Sequence, residues 1–194
     1  YTATPGPDGS FYAGGIAFGT GYRVSPGAFQ QTYNGGVAEG PNKGYDIAIF
    51  KFCANGGSRL YATYLGGSGN EQPHSMIADG QGNLIIAGRS NSSDYPPRSN
   101  PLASAAGFDI VISKLNATGT ALIGSVKIGG SGEDGVNIKS KYPNIVPSAT
   151  SLTRNYGDDA RSEVILDAAG DIFLVSCTQS SDFPVLDAVQ PAFG

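Results

Sequence analysis

The sequence predicts an all-β protein built from repeated four-stranded antiparallel units. Three observations predict it: dense glycine and proline punctuation in an apolar chain, internal matches about as long as such a unit, and short β-branched runs separated by hairpin turns. The chain has 194 residues, with 29 Gly and 12 Pro, yet 40% of its residues are hydrophobic. That apolar content is too high for a disordered chain, so the punctuation separates many short strands.

The repeat is read directly. Tyr45-Asp46-Ile47-Ala48-Ile49-Phe50-Lys51-Phe52 matches Phe108-Asp109-Ile110-Val111-Ile112-Ser113-Lys114-Leu115 at an offset of 63 residues. The match runs without a gap to Leu65-Gly66-Gly67-Ser68-Gly69 and Ile128-Gly129-Gly130-Ser131-Gly132. A second correspondence pairs Asp79-Gly80-Gln81-Gly82-Asn83-Leu84 with Asp167-Ala168-Ala169-Gly170-Asp171-Ile172, and Ser92-Ser93-Asp94-Tyr95-Pro96 with Ser180-Ser181-Asp182-Phe183-Pro184. Here the offset is 88, so 25 residues are inserted in the later copy, between Gly132 and Gly157. Gly9 to Gly15 lines up with Gly82 to Gly88 as a third, partial copy.

Each unit reads as strands. Apolar and β-branched residues fill 47–50 and 110–112, as a strand buried on both faces requires. Asn55-Gly56-Gly57, Thr118-Gly119-Thr120 and the two Asp-x-x-Gly segments are hairpin turns, and no segment has a capped helical period. Four strands per unit at a period above 50 residues fit a β-propeller blade. The strand entering the Asp-x-x-Gly turn, strand A, is expected at 74–79 and 161–167. Strand B follows at 10–16, 83–89 and 171–178, C at 45–53 and 108–116, and D at 58–65 and 121–128. Residues 1–194 are then a single propeller segment of one complete and two partial blades. The blade parts are 1–65, 74–128 and 161–194, with an insert at 136–156.

The combination Asp-x-x-Ile-x-Lys-Leu, Tyr-Leu-Gly-Gly-Ser-Gly-Asn, Asp-x-x-Gly-Asn-Leu and Ser-Ser-Asp-Tyr-Pro resembles the bacterial SBBP β-propeller repeat, and Ser25-Pro26-Gly27-Ala28-Phe29-Gln30 is similar to the segment that follows its Asp-Phe-Pro. The resemblance covers nearly all of the chain outside the insert. It implies a large secreted or surface protein of bacteria, and it attaches no activity to the repeat itself.

Composition excludes several classes. The 12 Lys and Arg are scattered and the net charge is −4, so the basic footprint of nucleic-acid binding is missing. No apolar run approaches the roughly 20 residues that span a bilayer. Cys53 and Cys177 lack metal-ligand spacing; they are expected at strand ends on opposite faces of different blades, unbonded to each other. Gly66-Gly67-Ser68-Gly69-Asn70 has the glycines of a phosphate loop but no Walker lysine and no following helix.

An up-and-down blade puts its A–B and C–D turns on one face and its B–C and D–A loops on the other. The long connections 17–44, 66–73, 90–107 and 129–160 therefore share one face, where binding residues on a rigid scaffold concentrate. The candidate ligand-binding residues there are Tyr33, Asn70, Glu71, Glu133, Asp134, Tyr142, Tyr156, Asp158 and Asp159. Their oxygens could hold Ca²⁺, although the spacing is not that of an EF-hand and no cofactor is otherwise expected. Asp94 and Asp182 are expected to bond to their own backbone before proline, and Tyr95 and Phe183 to plug the space between blades. His74, the only histidine, has no nucleophile placed beside it, and no catalytic residue is named.

The expected function is an extracellular or bacterial cell-surface module, not an enzyme. It would bind a protein or glycan through the long-loop face, with other blades of the same or a larger polypeptide as its structural partners. The alternatives are a spacer of an adhesin or filament without a ligand, and a glycoside-processing domain, which needs two carboxylates about 5–9.5 Å apart across a channel. The insert, with Tyr142, Pro143, Ile145, Pro147, Leu152 and Tyr156, is expected to pack as an ordered cap over that face.

Overall fold

The computed structural model describes residues 2–36, 38, 44–96, 102, 107–135 and 162–192. The insert at 136–156 lies outside the described residues. Among those described there are ten strands and no helix. They are β1 (Thr2–Pro5), β2 (Phe11–Ala17), β3 (Asp46–Phe52), β4 (Arg59–Leu65), β5 (Glu71–Ala78), β6 (Leu84–Ser90), β7 (Asp109–Leu115), β8 (Leu122–Ile128), β9 (Ser162–Leu166) and β10 (Ile172–Ser176). Two four-stranded antiparallel sheets, β1-β2-β3-β4 and β5-β6-β7-β8, are followed by the hairpin β9-β10.

This corrects the expectation of one complete and two partial units. The first sheet already holds four strands, because Thr2–Pro5 pairs with β2 from Thr2↔Gly14 to Pro5↔Phe11. The strand is only four residues long, and its turn carries Gly6 where the other copies carry Asp79 and Asp167. The turn still closes in the same way. Gly6 N donates to Ser10 O at 2.7 Å, as Asp79 N does to Asn83 O at 2.9 Å and Asp167 N to Asp171 O at 3.2 Å. Gly9, Gly82 and Gly170 hold the left-handed φ of 77°, 80° and 90° that a bulkier residue resists. The second difference is at β5, which starts at Glu71 with a register shift between Pro73 and Ser75. Proline lacks the donor that a regular ladder needs there.

The sheets stack face to face. Tyr12, Ile47, Ile49, Tyr61 and Leu65 of the first sheet meet Met76, Leu84, Ile86, Val111 and Leu115 of the second, with Tyr95 wholly buried among them. On the other side of the second sheet, Ile85 and Ala87 pack with Val164, Leu166 and Leu174 of the hairpin. The first strands of successive sheets, β1, β5 and β9, lie next to one another. Tyr12 carries its hydroxyl across the first interface to Gly82 O at 2.6 Å. The outer edge of β4 is covered by the preceding loop, with Ser25 N on Ala62 O at 2.9 Å and Tyr64 N on Gln30 O at 3.1 Å, which blunts an edge open to mispairing.

The hairpin is the exception. Ile165, Phe173 and Val175 remain 61%, 54% and 75% exposed on its outer face. Ile86→Ala, at the first interface, should therefore cost about 2–5 kcal/mol of unfolding free energy. Ile165→Ser should change it by no more than about 0.5 kcal/mol while reducing self-association. Denaturant titration and sedimentation of the two variants check both.

Candidate functional site

All five described strand-to-strand turns of the hairpin kind lie opposite the loops that follow β2, β4, β6 and β8. On that long-loop face the sequence repeat becomes a repeated hydrogen-bonded clamp between neighbouring sheets. At the first junction Glu71 is wholly buried. Its Oε1 accepts from Ser90 Oγ at 2.6 Å and from Ser92 Oγ, and its Oε2 from Gly67 N at 3.1 Å. Ser92 Oγ also takes Gly69 N at 2.6 Å, and Asp94 Oδ1 takes Ser68 N at 2.7 Å and Ser68 Oγ at 2.9 Å. At the second junction every part recurs. Asp134 Oδ2 accepts from Gly130 N at 2.8 Å and Ser180 Oγ at 2.7 Å, and its Oδ1 from Thr178 Oγ1. Gly132 N donates to Ser180 Oγ at 2.9 Å, and Asp182 Oδ1 takes Ser131 N at 2.8 Å and Ser131 Oγ at 3.0 Å.

Asp94 and Asp182 thus brace the serine of the preceding loop, and Asp182 also takes the bond to its own backbone that was expected before proline. The reason is distance: the Gly-Gly-Ser-Gly loop passes close enough to compete for the carboxylate. A Cβ on Gly67 would lie 2.5 Å from Asp94 Oδ1 and 2.6 Å from Ser92 Cβ, and one on Gly132 2.9 Å from Gln179 O. None of Gly66, Gly67, Gly69, Gly129, Gly130 or Gly132 has a left-handed φ. These glycines are there for clearance.

A second carboxylate stands at the start of strand C in each junction, and the two junctions treat it differently. Asp109 is buried, and Lys127 Nζ lies 2.7 Å from its Oδ2 while also donating to Ser92 O at 3.1 Å. Burial raises the pKa of Asp109, the lysine opposes that rise, and Asp134 and Glu133 add to it. Asp46, its counterpart, is also wholly buried. Its Oδ2 accepts from Asn34 N at 2.9 Å and Gln30 Nε2 at 3.2 Å, and its Oδ1 has no hydrogen-bond partner. Tyr64 occupies the position of Lys127, 63 residues earlier.

Residues 60–96 match the family model SBBP, a beta-propeller repeat. The chain carries an SBBP repeat. The matched stretch runs from β4 to the loop after β6, so it contains Gly67, Ser68, Gly69, Glu71, Ser90, Ser92, Asp94 and Tyr95, the first clamp and its aromatic plug. No curated protein matches the sequence.

The candidate residues divide accordingly. Asn70, Glu71 and Asp134 are buried within the two clamps. Asn70 Oδ1 accepts from Tyr45 N at 3.2 Å, and Asn70 N donates to Asn91 Oδ1 at 2.6 Å. Glu133 faces solvent while accepting from Phe108 N at 3.0 Å. Tyr33 is half-buried, tilted against Tyr64 with ring centroids 6.0 Å apart, and donates to Gly44 O. Tyr142, Tyr156, Asp158 and Asp159 lie outside the described residues. Among the described residues no three His, Cys, Asp or Glu side chains form a group that could hold a metal ion. Cys53 and Cys177 are not joined in a disulfide. His74 is buried on β5 with Nδ1 3.1 Å from Ser162 Oγ, and burial, reinforced by Arg89, lowers its pKa to about 3.

Sequence reasoning missed Asp46, Asp109, Lys127 and the clamp serines. The signal was in the repeat: Asp46/Asp109 and Ser92/Ser180 are polar residues recurring in register beside apolar strands. Lys127→Met leaves the buried Asp109 carboxylate without its counter-charge and should lower stability by about 3–5 kcal/mol. Chemical denaturation at pH 7 checks it.

Proposed function

We propose that the chain is part of an extracellular or cell-surface β-propeller that binds a protein or glycan partner through its long-loop face, within a larger secreted assembly. The observation that carries this reading is the recurrence of the same buried clamp at both junctions of one face. The clamp ties each long loop to the next sheet and makes a pre-ordered platform, which lowers the entropy cost of binding. Adjacency of β1, β5 and β9 supports successive sheets as blades around a common axis, and the exposed outer face of the hairpin supports further blades beyond it. Phe18, 46% exposed at the start of the first long loop, and Glu133 supply an aromatic and an acidic contact on the platform.

A spacer without a ligand is the second reading. It is favoured by the burial of Asn70, Glu71 and Asp134, which commits those polar groups to holding blades together. Binding of the purified protein to immobilised glycans and to surface proteins of its natural setting separates the two. The platform reading expects Phe18→Ala and Glu133→Ala each to weaken binding about tenfold, in the range of hot-spot truncations, while Gln81→Ala and Thr118→Ala on the opposite face leave it unchanged. No binding to any of them, from a chain that melts cooperatively, supports the spacer.

A further inference from the structure

The two junctions solve one problem with different means. Each buries two carboxylates around the first glycine of the Gly-Gly-Ser-Gly loop. A Cβ on Gly66 would lie 2.5 Å from Glu71 Oε2 and 2.9 Å from Asp46 Cγ, and one on Gly129 would lie 2.7 Å from Asp134 Oδ2 and closer still to Asp109 Oδ1. At the second junction Lys127 supplies a positive charge and at the same time bonds the loop carbonyl of Ser92. At the first, Tyr64 reproduces only half of this. Its hydroxyl reaches Gly19 O at 3.0 Å, the carbonyl that corresponds to Ser92 O in the repeat register, but it brings no charge to Asp46. Among the described residues no Lys, Arg or His pairs with Asp46 or Glu71. The titratable groups around the pair are Tyr33 and Tyr64, neutral below pH 8, Tyr95, also neutral, and Asp94, which adds negative charge.

We propose that the first junction is a proton-binding joint, in which the Asp46–Glu71 pair takes up a proton where the second junction carries the fixed ammonium of Lys127. Two like charges cannot both be held cheaply in a buried space without a counter-ion. Asp46 Oδ1 is the atom on which a proton displaces no donor, because it has none. The Glu71 oxygens already accept from two hydroxyls and one amide.

The titration follows the geometry. Burial, with the charge of Asp94 adding to it against the bonds from Asn34 and Gln30, raises Asp46 from 3.8 to about 6. Burial, with the charge of Asp46 adding to it against the bonds from Ser90, Ser92 and Gly67, raises Glu71 from 4.5 to about 7. Both folded values lie above the unfolded ones. The stabilising contribution is therefore complete below about pH 4 and is lost as pH rises through 6 and 7. The joint is tight in acid and loosens towards neutral pH, and with it the attachment of residues 30–34 to the Gly66 loop.

Stability of the full chain measured from pH 5 to pH 8 tests this. The pair's contribution to the folding constant should fall on the order of several hundredfold, set against a rise of roughly thirtyfold from His74, whose folded value is lowered to about 3. The double variant Asp46→Asn, Glu71→Gln should remove most of that fall, and Asp109→Asn at the other junction should leave it in place. Tyr64→Lys, which imports the second junction's solution, should also flatten the profile. A double variant that keeps the wild-type slope overturns the proposal. Should the variants fail to fold, carbon-13 carboxyl titration of the wild-type chain decides: Asp46 and Glu71 both titrating below pH 5 overturns it, and a midpoint at 6 or above for either upholds it.

Discussion

A carboxylate buried between two sheets has to be satisfied by the loops around it, and the rest of this structure depends on that constraint. Glu71 and Asp134 each gather hydroxyl and amide donors from a loop of one sheet and the strand end of the same unit's next segment. An unsatisfied buried acceptor costs about 1–3 kcal/mol, more for a charged group. The chain therefore cannot slide one sheet against the next without stranding those oxygens. The apolar contacts of Ile47, Leu84, Ile86 and Leu115 provide the attraction between sheets, but hydrophobic burial is not directional. Register between sheets is a property of the clamps.

This division of labour accounts for the motifs. The Gly-Gly-Ser-Gly loop has glycine where a Cβ would strike a carboxylate or a serine of the neighbouring segment, and serine where its amide and hydroxyl together feed one Asp oxygen. Ser-x-x-Tyr-Pro and its copy bring a second serine and an aspartate to the same spot, with the tyrosine turned into the core, where its hydroxyl meets Ser113 Oγ at 2.9 Å. Distant parts of the motif are thus one object in space. The stretch matched by the family model begins and ends around that object and not at the borders of a sheet.

The strands were legible in the sequence because their alternation and turns are local. Asp79 and Asp167 announce a hairpin through bonds to residues two and four positions on. Strand β1 was not legible: Thr2–Pro5 is short, ends in proline, and enters its turn on Gly6, so it forms because β2 and β5 offer it a place. The candidate site was legible in position but not in role. Asn70, Glu71 and Asp134 sit on the expected face, yet their burial depends on the approach of residues 20 or more positions away, such as Ser92 and Ser180. No local pattern distinguishes a solvated loop acid from one enclosed by a neighbouring sheet.

The repeat also shows how a copied framework can diverge without losing its shape. Tyr64 and Lys127 occupy equivalent places on the last strand of their sheets, and each keeps the bond to the loop carbonyl, at 3.0 Å and 3.1 Å. The geometric requirement of the position is a donor at the end of a long side chain, and both residues meet it. Charge is a separate requirement set by the carboxylates behind it, and only lysine meets that one. The tyrosine gains something else: it stacks edge-on with Tyr22 at 5.3 Å between centroids and supports Tyr33, building an aromatic cover over the outer side of the first sheet with Ala17 and Ala48. The corresponding side of the second sheet, which carries Val111 and Lys127, is the one packed on the first sheet. The exchange of lysine for tyrosine thus trades a compensated charge for an apolar surface on the side of the first sheet where no further described sheet is packed.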